Sequence, residues 1–148
     1  MSNMTEQAFE LAEELFKDKT DKGGHPYINH LLRVSSKVKG KTAKTVALLH
    51  DVIEDTNTTK EDLIKMGFSE EVVGAVYILS RQENETYNEF ILRIIESNNP
   101  IAINVKIADL EDNMDLSRIS DVTQKDIDRV NKRYKPAYQS LIEISKNL

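Results

Sequence analysis

Cysteine and tryptophan are absent from this chain, and its 148 residues include only 3 prolines, 5 glycines and 3 histidines. Without cysteine there is no disulfide framework, no thiol nucleophile and no thiolate-ligated zinc. So little glycine and proline argues against a loop-rich β sandwich. No apolar run approaches the roughly 20 residues needed to cross a bilayer, and the first residues carry no signal-peptide pattern. Basic charge is not in excess either. The net charge is −5, which offers no general electrostatic grip on nucleic acid. These absences lead us to expect a cytoplasmic, soluble protein that acts on a small molecule and has neither a nucleic-acid nor a membrane partner. They leave its oligomeric state open.

What is present is helical. Hydrophobic residues make up 39% and charged residues 30%, enough for one domain, 1–148, with a real core. Apolar residues recur at three- and four-residue spacing, and no alternating strand pattern is found. The expected fold is all-α, with about eight helices as a boundary-limited count. A first helix spans 4 to 17, with Thr5 as its N-cap. A charged loop, 17–24, follows. Pro26 suits the first turn of a second helix carrying Ile28, Leu31, Leu32, Val34 and Val38, which Gly40 closes. Thr42 opens a third. Thr59 with Asp62, or Thr58 with Glu61, starts the next, and Ser69 the one after, with a face of Val72, Val73, Val76, Tyr77 and Leu79. Tyr87 to Ile95 and Pro100 to Met114 are two more. The last begins at Thr123 with Asp126, carries Ile127, Val130, Tyr134, Ala137, Leu141 and Ile144, and is kinked or split by Pro136.

The chemistry concentrates in the third helix, at Leu48-Leu49-His50-Asp51-Val52-Ile53-Glu54-Asp55. Here a histidine and three carboxylates interrupt a run that should be buried. Burying unpaired charge is unfavourable unless something pairs with it, and a metal ion is an economical partner. At about 100° per residue, His50 and Glu54 share one helix edge, while Asp51 and Asp55 form a second. Two other residues interrupt apolar pattern: His30, one turn before Val34, and Asp109, on a face with Ala102 and Val105. Without thiols, a metal site needs imidazoles and carboxylates, so His30, His50, Asp51 and Asp109 are the candidate ligands. Two nitrogens and two oxygens suit manganese, iron or magnesium, with zinc also compatible. Such a site performs hydrolysis. Glu54 or Asp55 would orient or deprotonate the attacking water, while Lys22, Lys106 and Arg118 are candidate cations for phosphate charge.

Three stretches resemble the HD phosphohydrolase superfamily, and more narrowly the hydrolase domain of RelA/SpoT-type alarmone enzymes and the small alarmone hydrolases. They are Asp21-Lys22-Gly23-Gly24-His25-Pro26-Tyr27-Ile28-Asn29-His30, Ala47-Leu48-Leu49-His50-Asp51-Val52-Ile53-Glu54-Asp55-Thr56, and Val105-Lys106-Ile107-Ala108-Asp109 followed by Asn113-Met114. In order and spacing the resemblance covers roughly residues 5 to 118. It implies His30, His50, Asp51 and Asp109 as metal ligands, usually for Mn²⁺. It also implies Glu54 and Asp55 as the catalytic acids and Asn113 near the nucleotide. The implied reaction is removal of the 3′-pyrophosphate of ppGpp or pppGpp. From the length given, we expect hydrolysis and no synthetase domain.

The sequence also departs from that family. Asp21-Lys22 stands where Arg-Lys is usual, Phe16 where a histidine is common, Leu31 where proline follows the metal-binding histidine, and Leu110-Glu111-Asp112 where Arg-Leu-His is frequent. None removes a ligand or an acid, and all bear on substrate recognition. Another nucleotide or phosphorylated metabolite is therefore a second candidate substrate, and a non-catalytic nucleotide-binding module a third reading.

Overall fold

The structure is a computed structural model that describes residues 3–148, and no strand is found among them. The helices are α1 (Met4–Leu15), α2 (Ile28–Ser36), α3 (Lys41–Leu49), α4 (Val52–Asp55), α5 (Lys60–Lys65), α6 (Glu70–Ile78), α7 (Tyr87–Glu96), α8 (Pro100–Met114), α9 (Gln124–Arg129) and α10 (Lys135–Ser145). α3 and α4 lie either side of a two-residue break. α9 and α10 are joined through a π-helical turn, Val130–Tyr134. With α3 and α4 counted as one unit across that break, and α9, the π turn and α10 as another, these make eight helical units among the described residues, as expected.

Side-chain caps set most of the boundaries. Thr59, Thr86 and Thr123 each form a reciprocal capping box, with Asp62, Glu89 and Asp126 respectively. Ser69 and Asn99 cap α6 and α8, and Pro100 takes the first position of α8, where its missing N–H leaves nothing unpaired.

Several expectations need correction. Asn3, not Thr5, caps α1, accepting the Glu6 N–H at 2.8 Å. Thr5 instead meets Thr45 Oγ1 at 2.8 Å, tying α1 to α3. α1 ends at Leu15, two residues early, because the chain turns there to bring Phe16 into the core. Pro26 lies before α2, bridged to Thr20, and the helix opens at Ile28. Gly40 is the N-cap of α3 at φ 90°, a left-handed position that glycine takes without strain; α2 has already ended at Ser36. α3 accordingly opens at Lys41, one residue before Thr42. Leu32, Tyr77 and Ile127 are exposed rather than core. Tyr77 turns its ring to solvent beneath the Lys60 ammonium, 4.8 Å away. Pro136 neither splits nor sharply ends the last helix. The π turn just before it, in which the Lys135 N–H bonds to the Val130 carbonyl, absorbs the ring and the missing donor.

α3 is the central element and packs against α1, α2, α6 and α8. Its Val46, Leu48 and Leu49 are buried with Leu31 and Val34 of α2 and Ile103 and Leu110 of α8. This packing delivers the C-terminal end of α3, the first turn of α2 and the C-terminal half of α8 to one place.

Candidate metal centre

His50 and Asp51 lie at the break between α3 and α4, not inside one continuous helix as the sequence suggests. His50 Nδ1 donates to the Ala47 carbonyl at 2.6 Å. That carbonyl is the acceptor Asp51's N–H would use in an unbroken helix. The ring therefore sits against its own helix end, with Nε2 turned toward α8. There it meets Asp109 Oδ1 at 3.3 Å, and Asp51 Oδ2 is also 3.3 Å away.

His30 arrives from α2. Its Nδ1 donates to Asp112 Oδ2 at 2.6 Å, and its Nε2 faces Asp109 Oδ1 at 3.0 Å. Donor atoms of His30, His50 and Asp51 all lie within 4.8 Å of one another. The structure thus brings together all four residues expected to bind metal, from three separate helical segments.

The donor chemistry of this cluster fits a cation. Both Nδ1 atoms face groups that only accept, so both Nδ1 carry protons. A neutral ring then presents a bare Nε2, and each bare Nε2 points at a carboxylate. Lone pairs meet lone pairs, and only protons or a metal ion can reconcile them. With protons alone, burial would push the His30 imidazole down, but Asp109 and Asp112 hold it up, to about 10. Burial likewise opposes charge on His50, and Asp51 and Asp109 raise it. Burial would raise the Asp109 carboxyl, yet Lys106 and His50 hold it far below the usual carboxylate range. A divalent ion would satisfy the same four groups with both imidazoles neutral.

The flanking residues orient these donors. Asp109 Oδ2 takes the Lys106 ammonium at 2.9 Å, and Asn113 Nδ2 donates to Oδ1 at 3.2 Å. Burial disfavours the Lys106 charge, but Asp109 keeps it protonated. Tyr27 donates its hydroxyl to Asp51 Oδ2. The Tyr27 ring is held by Phe16, with centroids 5.2 Å apart, and by Lys19, whose ammonium lies 4.1 Å from its centroid. Phe16 and Leu31, both departures from the family pattern, are core residues.

Glu54 and Asp55 stand one turn beyond, on α4. Burial raises the carboxyl of each, with Asp51 adding to the effect. Glu54 Oε1 accepts the Arg81 backbone N–H at 2.7 Å, and Asp55 pairs with Lys19 at 3.3 Å.

Beside the cluster opens a cleft of about 270 Å³. Lys22, Asn113 and Arg118 line it, together with His30, Tyr27, Arg33 and Tyr134. Lys106 is not among its walls; its ammonium is spent on Asp109 and lies 5.1 Å from the Phe90 ring centre. The loop that forms one wall packs closely on the Asp115–Val122 connection. A Cβ on Gly23 would lie 2.6 Å from the Arg118 carbonyl oxygen, so only glycine fits there. Asp21 is turned into this loop, accepting the Gly23 and His25 N–H groups at 2.9 Å each. Its Oδ1 is thus spent within the loop, although Asp21 also lines the cleft.

The sequence assigned no site role to Tyr27 or Arg33, and marked Asp112 only as a departure bearing on substrate recognition. Asp112 is buried, and both of its oxygens are clamped by Arg33 and His30. Burial opposes its charge, but His30 and Arg33 hold its carboxyl well below the usual range. Its three-residue spacing from Asp109, and that of Arg33 from His30, were the available signals. Nothing local shows that the Tyr27 hydroxyl reaches Asp51.

No family model matches the chain. Over 122 residues it is 37% identical to the guanosine-3′,5′-bis(diphosphate) 3′-pyrophosphohydrolase of Aquifex aeolicus (strain VF5), covering 74% of this chain and 17% of that protein. Over 74 residues it is 40% identical to the protein of the same name from Borreliella burgdorferi (strain ATCC 35210 / DSM 4680 / CIP 102532 / B31), covering 47% of this chain and 11% of that protein. The matched stretches thus span less than a fifth of these relatives. A solved structure described as a metazoan ortholog of SpoT that hydrolyzes ppGpp and plays a role in starvation responses matches with a TM-score of 0.73 and 25% identity. That match covers 99% of this chain and 96% of the other. No helix among the described residues is long and apolar enough to cross a membrane.

Proposed function

We propose that this chain, a RelA/SpoT-type HD hydrolase domain, is a metal-dependent phosphohydrolase that removes the 3′-pyrophosphate of ppGpp or pppGpp. The observation that carries this reading is the convergence of two bare Nε2 atoms and two carboxylates beside a cleft lined with cations. His30, His50, Asp51 and Asp109 would hold the ion, with Mn²⁺ our first choice and Fe²⁺, Mg²⁺ or Zn²⁺ alternatives. When bound, that ion supplies an activated water and polarises a phosphoryl oxygen.

The chain's own residues do the rest. Tyr27 and Lys106 fix the orientation of Asp51 and Asp109. Glu54 and Asp55, with carboxyls raised by burial, are the proton acceptors. Lys22 supplies positive charge along the cleft, and Asn113 stands between the cleft and Asp109. The small nucleotide would lie in the cleft with its pyrophosphate toward the His30 side.

One observation favours a second reading, hydrolysis of a different nucleotide or phosphorylated metabolite. Where an arginine is usual, Asp21 is folded into its own loop, so that wall lacks a guanidinium to stack on guanine. Incubating the Mn²⁺-loaded protein with ppGpp, pppGpp and a panel of nucleotides separates the two. Release of pyrophosphate from ppGpp, abolished by chelation, is the expected result. Cleavage confined to other substrates would favour the second reading, and metal binding without any hydrolysis would sink both.

A further inference from the structure

Asp112 lies on α8 one turn beyond Asp109 and is 3% exposed. It accepts from His30 Nδ1 at 2.6 Å through Oδ2. Arg33 forks onto both of its oxygens, Nε to Oδ1 at 2.7 Å and Nη2 to Oδ2 at 3.1 Å. Arg118 adds Nη2 to Oδ1 at 3.3 Å and to the Asp112 carbonyl at 3.1 Å, with Nη1 on Asp115 at 3.0 Å. A carboxylate gripped on both oxygens cannot rotate, and so neither can the ring it holds.

We infer that Asp112 is a positioning residue for the metal centre, and that Arg33 and Arg118 act on that centre through Asp112 instead of serving mainly as phosphate ligands. The inference rests on the reading of His30 as a metal ligand. Asp112 holds the Nδ1–H tautomer of His30, so Nε2 faces the site with its lone pair. The two guanidiniums fix Asp112 in one rotamer. A buried carboxylate that receives an imidazole N–H, the Arg33 fork and one Arg118 N–H has no amide or hydroxyl equivalent, since an amide would set N–H against N–H. Arg118 was expected to bind substrate, yet its fork is already committed to Asp112 and Asp115.

The test measures Mn²⁺ affinity by calorimetry on the metal-free full chain, with no nucleotide present. Asp112→Asn should weaken Mn²⁺ binding by about 10- to 100-fold, the range for an outer partner of a metal-binding imidazole. Arg118→Gln, on a partly exposed residue, should weaken it several-fold, and that effect should vanish in the Asp112→Asn background. Unchanged Mn²⁺ affinity in both variants would overturn the inference, even if the melting temperature fell, because a purely structural role lowers stability alone. So would an Arg118→Gln variant with wild-type Mn²⁺ affinity and a raised KM, which would return Arg118 to the substrate. A wild-type chain that binds Mn²⁺ but leaves ppGpp intact would sink the proposed activity and leave this inference standing. A wild-type chain that binds no Mn²⁺ would remove both.

Discussion

Lys106 Nζ lies 2.9 Å from Asp109 Oδ2, the oxygen opposite the one that faces both imidazoles. One carboxylate is thus shared between a fixed internal cation and the candidate metal position. Its other oxygen, held by Asn113, is aimed at the two imidazoles. Removing the ammonium would leave a buried carboxylate poorly compensated. Lys106→Met is therefore expected to destabilise the metal-free protein by about 3 kcal/mol, typical of breaking a buried pair from one side. Urea denaturation measures this, and a loss below about 1 kcal/mol would contradict the assigned role.

Asp51 and Glu54 should separate cleanly by assay. Asp51→Ala removes a donor from the cluster and is expected to abolish stoichiometric Mn²⁺ binding. Glu54→Gln leaves the four donors intact, so Mn²⁺ should still bind while turnover falls by about 10²- to 10⁴-fold, the span of general acid–base assistance. Metal content after gel filtration, read beside initial rates, decides it. Full activity in Glu54→Gln would remove that residue from the proton-transfer role.

The wall loop depends on Asp21, which accepts two N–H groups from its own turn. If the loop reads guanine, an arginine here would be expected from the sequence to improve ppGpp turnover. The structure reverses that expectation, because arginine cannot accept these bonds and the turn would open. Asp21→Arg should raise KM, and Asp21→Asn, which keeps an accepting oxygen, should stay near wild type. Steady-state kinetics on both variants would expose an error if Asp21→Arg proved the better enzyme.

Stability should carry an acid-dependent component from Glu85 and Arg93, paired at 2.7 Å. The Arg93 guanidinium holds the Glu85 carboxyl below its ordinary value of 4.5. A depressed carboxylate contributes stability that is complete above the unfolded value and is lost as pH falls through the folded one. The melting-temperature gap between wild type and Glu85→Gln should therefore be full at neutral pH and close below about pH 4. A gap that persisted into acid would show that packing, not the ion pair, sets it.

The core offers a check on the fold itself. Leu31 is fully buried on the helix that carries His30. Leu31→Ala should cost about 2 to 5 kcal/mol, as truncation of a buried leucine usually does. A milder loss in thermal or urea unfolding would mean α2 packs less tightly than described.

Local chemistry in the sequence determined where most helices begin and end. The threonine–acid capping boxes, Pro100 and Gly67 act within four residues of themselves, so reading them needs no knowledge of the partner elements. The same holds for the odd residues of the site: His30, His50, Asp51 and Asp109 stood out because each breaks an apolar pattern. Boundaries failed where a distant contact overrode a local preference. Thr5 leaves its expected cap position for Thr45, forty residues away, and the helix through the motif breaks at His50, where the ring takes the Ala47 carbonyl.

Only the tertiary structure decided how the polar residues face one another. His30 and Asp109 are 79 positions apart, and their 3.0 Å approach follows from α2 and α8 both packing on α3. Helical periodicity assigns a residue to a face but does not orient its ring, so the two Nδ1 protons, the diversion of Lys106 to Asp109 and the arginine clamp on Asp112 were invisible beforehand. The sequence by itself determined which atoms are available for chemistry. Packing across the core determined which of them point at the same few ångströms of space.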